Sequence, residues 1–142
     1  GGGQGGIALG ARLRQLGVPA LVVDKYARPG DQWRSRYKSL CLHDPVWYDH
    51  LPYIKFPDNW PVFAPKDKIA DWLEMYTRVM ELDCWTSTLC KRARFNEAAA
   101  EWEVLVIRDG KEERVIEGVR HVLETPIRAG DRYLICSDGL TS

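Results

Sequence analysis

No apolar stretch in this chain approaches the roughly twenty residues that a membrane-crossing helix needs. Charge of either sign is not in surplus: Lys and Arg number 20, as do Asp and Glu, for a formal net charge of zero. That balance leaves no basic footprint for nucleic acid and no polybasic run for an anionic membrane. Cysteine is scarce. Cys41, Cys84, Cys90 and Cys136 form no C-x-x-C pair, and His43, His50 and His121 are scattered, so no zinc spacing emerges and no metal ligand is assigned. Gly1 to Gly6 have neither the basic start nor the apolar middle of a secretory leader. The expectation is a cytoplasmic protein with reduced, mostly buried thiols.

What is present suits a folded α/β domain. The chain has 142 residues, 45% hydrophobic and 28% charged, enough to bury a core. Gln4 to Leu16 read as a helix, with Ile7, Leu9, Ala11, Leu13 and Leu16 apolar and Gly17 as its stop. Leu21-Val22-Val23 then reads as a buried parallel strand ending in Asp24. From Ala27 to Pro65 the chain reads as irregular, with prolines at 29, 45, 52, 57, 61 and 65. Its Trp and Tyr content requires burial against something, and loops this long are usually functional. Lys66 to Leu82 is the clearest helix, striped by Ile69, Trp72, Leu73, Tyr76, Val79 and Met80. Strands are expected at Leu89–Phe95, Glu101–Arg108 and Glu112–Glu117, the last two joined by a two-residue turn at Asp109-Gly110. Arg120–Leu123 and Arg132–Cys136 read as further short strands.

Gly1, Gly3 and Gly6 satisfy G-x-G-x-x-G, and each glycine has its own reason. The first permits a tight turn out of a strand. The second lets the backbone approach a pyrophosphate, and the third lets the following helix pack close to a sheet. The helix N-terminus offers N–H groups and a positive dipole end to phosphate. Asp24, eighteen residues after Gly6, is placed to accept hydrogen bonds from a ribose hydroxyl pair. The strand that should lead into Gly1 is not in the chain, which predicts an unpaired sheet edge, low stability or aggregation.

Together with Arg28 to Pro45 and Phe56 to Leu73, this loop resembles the flavin-containing monooxygenases, the FAD- and NADPH-dependent group that includes Baeyer–Villiger enzymes. The likeness covers about residues 1–123. It implies a Rossmann-like FAD-binding domain, partial because its first strand is missing, with a β-hairpin excursion. By that resemblance Gly1, Gly3, Gln4 and Gly6 hold the FAD pyrophosphate, and Asp24 binds the adenosine ribose with Lys25 beside it. Gln32 and Trp33 lie along the cofactor, while Arg36, Leu42 and His43 sit nearer the flavin ring. The residues leave alternatives open: Trp33 as core, Arg36 paired with Asp31 or Asp44, His43 as a structural histidine, and Trp72 with Tyr76 as core. In the complete enzymes NADPH reduces the flavin, and a flavin C4a-peroxide oxygenates a small organic substrate. The second glycine-rich loop, which binds NADPH, and the Phe-x-Gly-x-x-x-His fingerprint are absent here. A non-catalytic remnant with weak or no FAD binding is the competing reading, and no particular oligomeric state is implied.

Residues 124–142 resemble something else. Thr125 to Thr141 is similar to the late Gly-Asp-x-strand-Ser-Asp-Gly segment of metal-dependent serine/threonine protein phosphatases, where the residue matching Asp138 binds Mg²⁺ or Mn²⁺. One carboxylate cannot hold two hard cations, so Asp138 is expected to serve as a turn residue in a short tail beyond a junction near Leu123–Glu124.

Overall fold

A computed structural model describes residues 1–119 and 133–135. Helix α1 spans Gln4–Gln15 and buries Ile7, Gly10, Ala11 and Leu13. Gly17, at φ 70°, then reverses the chain into β1, Ala20–Val23. The long irregular segment contains two four-residue helices that the sequence did not announce: α2 (Asp31–Arg34) and α3 (Val46–Asp49). Single turns show no periodicity, so only their N-terminal signals, Gly30 and Pro45, could have hinted at them. Helix α4 follows at Lys66–Val79 and buries Ile69, Trp72, Leu73 and Tyr76 of the predicted stripe, while Val79 is exposed and Met80 only partly buried.

Two three-stranded sheets flank these helices. The first is parallel, with β1 between β2 (Cys84–Trp85) and β6 (Tyr133–Ile135). The second is an antiparallel meander of β3 (Thr88–Asn96), β4 (Glu101–Arg108) and β5 (Glu112–Val119). Strand β2 went unpredicted because a two-residue strand carries no alternation to read. Arg108 pairs with Glu112, so the connection holds three residues rather than the expected two. Asp109 and Gly110 both take positive φ, 52° and 70°, and Lys111 N–H closes the turn on the Arg108 carbonyl at 3.1 Å.

The expected open edge of β1 is not seen: Ala20, Leu21 and Val22 face Tyr133, Leu134 and Ile135 in parallel register. The expected strand at Arg120–Leu123 and the turn at Asp138 lie outside the described residues. The main core joins Ile7 and Ala11 of α1 to Trp33, Leu40, Phe56 and the buried face of α4. A second cluster of Val23, Val104, Val106 and Val119 ties the two sheets together. Of the aromatic-rich loop, Trp33 and Phe56 are packed into this core, whereas Tyr37, Trp47, Tyr48, Tyr53 and Phe63 are exposed, so the expected burial of its Trp and Tyr side chains holds only in part. Among the described residues no helix is long and apolar enough to cross a membrane.

Candidate functional site: a glycine loop at the start of α1

The site begins with backbone. Gly3 caps α1 in extended conformation with no side-chain hydrogen bond, and the first turn carries no acidic residue. The N–H groups at that end are thus left to a ligand or solvent, at the positive pole of the helix. A Cβ on Gly6 would collide with the Gly1 carbonyl oxygen, and one on Gly3 would meet the Gln32 amide oxygen. Those contacts are the close approaches the motif exists to allow.

Asp24 closes the loop from below. It is 5% exposed and accepts hydrogen bonds from the Gly2 N–H and, at 2.7 Å, from the Tyr26 N–H. A carboxylate has about four acceptor sites, so two backbone bonds leave capacity for ribose hydroxyls. Lys25, next in sequence, lies over the Tyr26 ring at 5.5 Å.

The segment after Asp24 folds back onto the loop. Gly30 N–H donates to the Gly2 carbonyl at 3.0 Å, and Trp33 Nε1–H donates to Gln4 Oε1 at 2.8 Å. Gly30 has φ 85°, and a Cβ there would strike the Ala70 carbonyl of α4, so this residue is constrained twice over. Arg34 pairs with Asp31 within α2 (2.8 Å) and locks α2 to α4 through Asp71 (2.7 Å) and Glu74 (2.8 Å). Burial disfavours its charge, but hydrogen bonds to Asp71, Asp31 and Glu74 outweigh that and hold its pKa above the ordinary value. The ion pair to Asp31 considered for Arg36 thus falls to Arg34. Arg36 instead stacks over the Trp33 ring at 5.0 Å.

Beside the loop lies a cavity of about 230 Å³, lined by Gln4, Trp33, Leu42, His43, Asp44, Asp49, Leu51, Phe56, Ile69, Trp72 and Leu73. Four sequence-predicted site residues, Gln4, Trp33, Leu42 and His43, therefore share one space. Gly1, Gly3, Gly6, Asp24 and Gln32 surround the loop itself, while Lys25 and Arg36 lie outside the cavity. Trp33 is both 9% exposed core and cavity wall, and Trp72, expected as core, plays both parts too. Asp49 and Phe56 were not anticipated; the aromatic and proline density of their loop was the one available signal. The Asp49 carboxyl is raised by burial and by the charge of Asp44. A larger cavity of about 600 Å³, bounded by residues such as Arg14, Leu21, Ile116 and Val119, contains none of the predicted site residues.

Cys84 in β2 is next to this machinery, and its chemistry is checkable. Cys41, Cys84 and Cys90 are half-buried rather than mostly buried as expected. Burial, then the charges of Asp24 and Asp83 against an opposing N-terminal amine, pushes the Cys84 thiol up to about 11. A raised thiol pKa favours the folded state below the unfolded value of 9.0, and that contribution is lost as pH rises through about 11. Alkylation of Cys84 at pH 8 should therefore be far slower in the native than in the denatured chain. Equal rates by peptide mass mapping would contradict the burial.

A mixed α/β architecture with a glycine loop at the start of its first helix is what these features define. No family model matches the chain. The chain is similar to the probable indole-3-pyruvate monooxygenase YUCCA9 of Arabidopsis thaliana, 34% identical over 113 residues, which is 79% of this chain and 27% of that protein. It is also similar to an uncharacterized CzcO-like oxidoreductase of Geobacillus kaustophilus, 39% identical over 88 residues, 62% of this chain and 25% of that one. Among solved structures, the flavin-containing monooxygenase from Stenotrophomonas maltophilia superposes with TM-score 0.71 at 23% identity, covering 81% of this chain and 34% of that one, which shows a shared fold. The chain spans about a quarter of the length of the curated relatives it matches. None of these supports the phosphatase likeness of the tail.

Proposed function

We propose that this chain is the FAD-binding N-terminal portion of an NADPH-dependent flavin monooxygenase. The observation that carries the reading is the uncapped start of α1 within its buried glycine loop, held by Asp24 on one side and the Gly30–Trp33 segment on the other. Those features fit a dinucleotide. The N–H groups of α1 would take the pyrophosphate, with Gly1, Gly3 and Gly6 giving the clearance and Gln4 beside them. The free acceptor sites of Asp24 would take the adenosine ribose, with Lys25 adjacent. Gln32 lies over Gly3, and Trp33, Leu42 and His43 extend the surface toward the flavin half, with Arg36 behind Trp33.

When bound, the flavin supplies hydride acceptance and oxygen activation toward a small organic substrate. This chain's own part is to orient the cofactor and keep water from it, through a wall of Trp33, Phe56 and Trp72. The hydride from NADPH, and the loop that binds it, belong to the rest of such an enzyme, and a cytoplasmic setting suits that nicotinamide. The test is direct. Purified chain incubated with FAD and desalted should retain flavin absorbance and quench flavin fluorescence. A colourless protein whose melting temperature ignores FAD would establish the non-binding remnant instead.

A further inference from the structure

Two indole N–H groups belong to the aromatic core around α4, and their fates differ. Trp72 Nε1–H is buried with no partner among the described residues and is sealed from the cavity. Trp33 Nε1–H, in a residue 9% exposed, reaches out of the core and donates to Gln4 Oε1 at 2.8 Å. Gln4 itself is exposed. A long side chain at the surface gives up rotamer freedom to be held in this way.

The contact settles which way round the Gln4 amide stands. An indole N–H only donates, and of the two ends of a carboxamide only the oxygen accepts. With Oε1 held against Trp33, Nε2 and its two N–H donors are turned away from the indole. No group among the described residues accepts from them. The ring that makes the contact is itself steadied, by the core around it and by the Arg36 guanidinium 5.0 Å over its face. Gln4 is also the first residue of α1, so its amide stands at the helix end that has no side-chain cap and no acidic residue. The groups left open at this corner, backbone N–H and amide N–H, are donors, which suits an oxyanion. We infer that Trp33 is a positioning residue for phosphate recognition: its indole N–H keeps the Gln4 carboxamide turned so that Nε2 donates to a pyrophosphate oxygen of the bound dinucleotide. The inference rests on the FAD reading above and gives Trp33 a second task besides walling the cavity. Without that hold the amide turns either end to the ligand, and its oxygen repels the phosphate that its nitrogen attracts.

The test replaces Trp33 with benzothienylalanine, in which sulfur stands for the indole N–H at constant shape, and combines it with Gln4→Met, which keeps side-chain length without donors. Gln4→Met should weaken FAD binding about tenfold by isothermal titration. Benzothienylalanine at position 33 should weaken it about threefold by itself and add nothing in the Gln4→Met background, because Trp33 acts through the amide. Melting temperatures should barely move, since Gln4 is exposed and its released oxygen turns to water. In phosphorus NMR of the FAD-saturated proteins the pyrophosphate resonances should shift in both single variants while the visible flavin bands stay in place. Lost packing against the flavin would do the reverse and overturn the inference. Losses that add in the double variant would overturn it too, by showing that Trp33 does not act through Gln4. So would unchanged FAD affinity and phosphorus resonances in Gln4→Met, and in each of these cases the FAD reading stands. Failure of the unmodified chain to bind FAD would sink both.

Discussion

Gly6→Ala should weaken flavin binding about tenfold to hundredfold while Gly5→Ala should not weaken it. The two glycines are neighbours in the first turn of α1, yet a methyl group meets different surroundings at each. At Gly6 the added Cβ falls on the Gly1 carbonyl oxygen, which is backbone and cannot swing aside. Relief requires the loop to move away from the helix start, and Gly1 to Gly3 are buried, so the shift passes to Asp24 and Gln32. Overpacking of this kind costs about 1–3 kcal/mol, equivalent to roughly tenfold to hundredfold in affinity if borne by the bound state. At Gly5 nothing lies within 4 Å of the same methyl. Alanine there should stabilise the helix by up to about 1 kcal/mol through its better propensity. Isothermal titration with FAD and chemical denaturation of both variants measure the contrast. Equal FAD affinity in the two would mean that the loop does not hold the phosphates.

That contrast also marks how far the sequence could be read. The glycine spacing, Asp24 and the α4 stripe were legible because each is a local pattern: a turn chemistry, a strand end, a 3.6-residue period. What pairs with what over long separations was not. Arg34 and Arg36 are equally basic and two residues apart; Asp31 reaches Arg34 within α2 at i,i+3 spacing, but only the packing of α2 on α4 gives Asp71 and Glu74 to it. Strand β2 is too short to show alternation and is defined by its register against Val22 and Val23. For Trp72 the stripe correctly predicted burial, but burial says nothing of whether an indole N–H finds a partner. The cavity exists because the 40–56 segment folds over α4, a tertiary fact.

The parallel sheet is where the reading was furthest from the structure, and it yields the second large effect. In a dinucleotide-binding sheet the strand after the first helix normally sits beside the strand that enters the glycine loop. Here β1, which follows α1, lies between β2 and β6. Strand β2 offers β1 only two paired residues, so β6, with three, is its more extensive partner. A central parallel strand stripped on one side leaves backbone donors and acceptors unpaired. Ile135→Pro should therefore be severe. The Val22 N–H turns to the β2 side, donating to the Asp83 carbonyl, so Leu21 faces β6, where the alternate residues Tyr133 and Ile135 present their N–H groups. Proline at 135 deletes one of these donors and its ring disfavours ladder pairing. A loss of about 2–4 kcal/mol is expected, a large share of the 5–15 kcal/mol typical of a domain. Denaturation should show an earlier midpoint with a shallower transition, and hydrogen exchange should speed up at Leu21. Ile135→Val, which keeps the backbone bonds and suits a strand, should cost under about 1.5 kcal/mol. If the proline variant unfolds at the same midpoint as the unmodified chain, β6 does not hold the sheet, and the glycine loop must draw its rigidity from Asp24 and Gly30 alone.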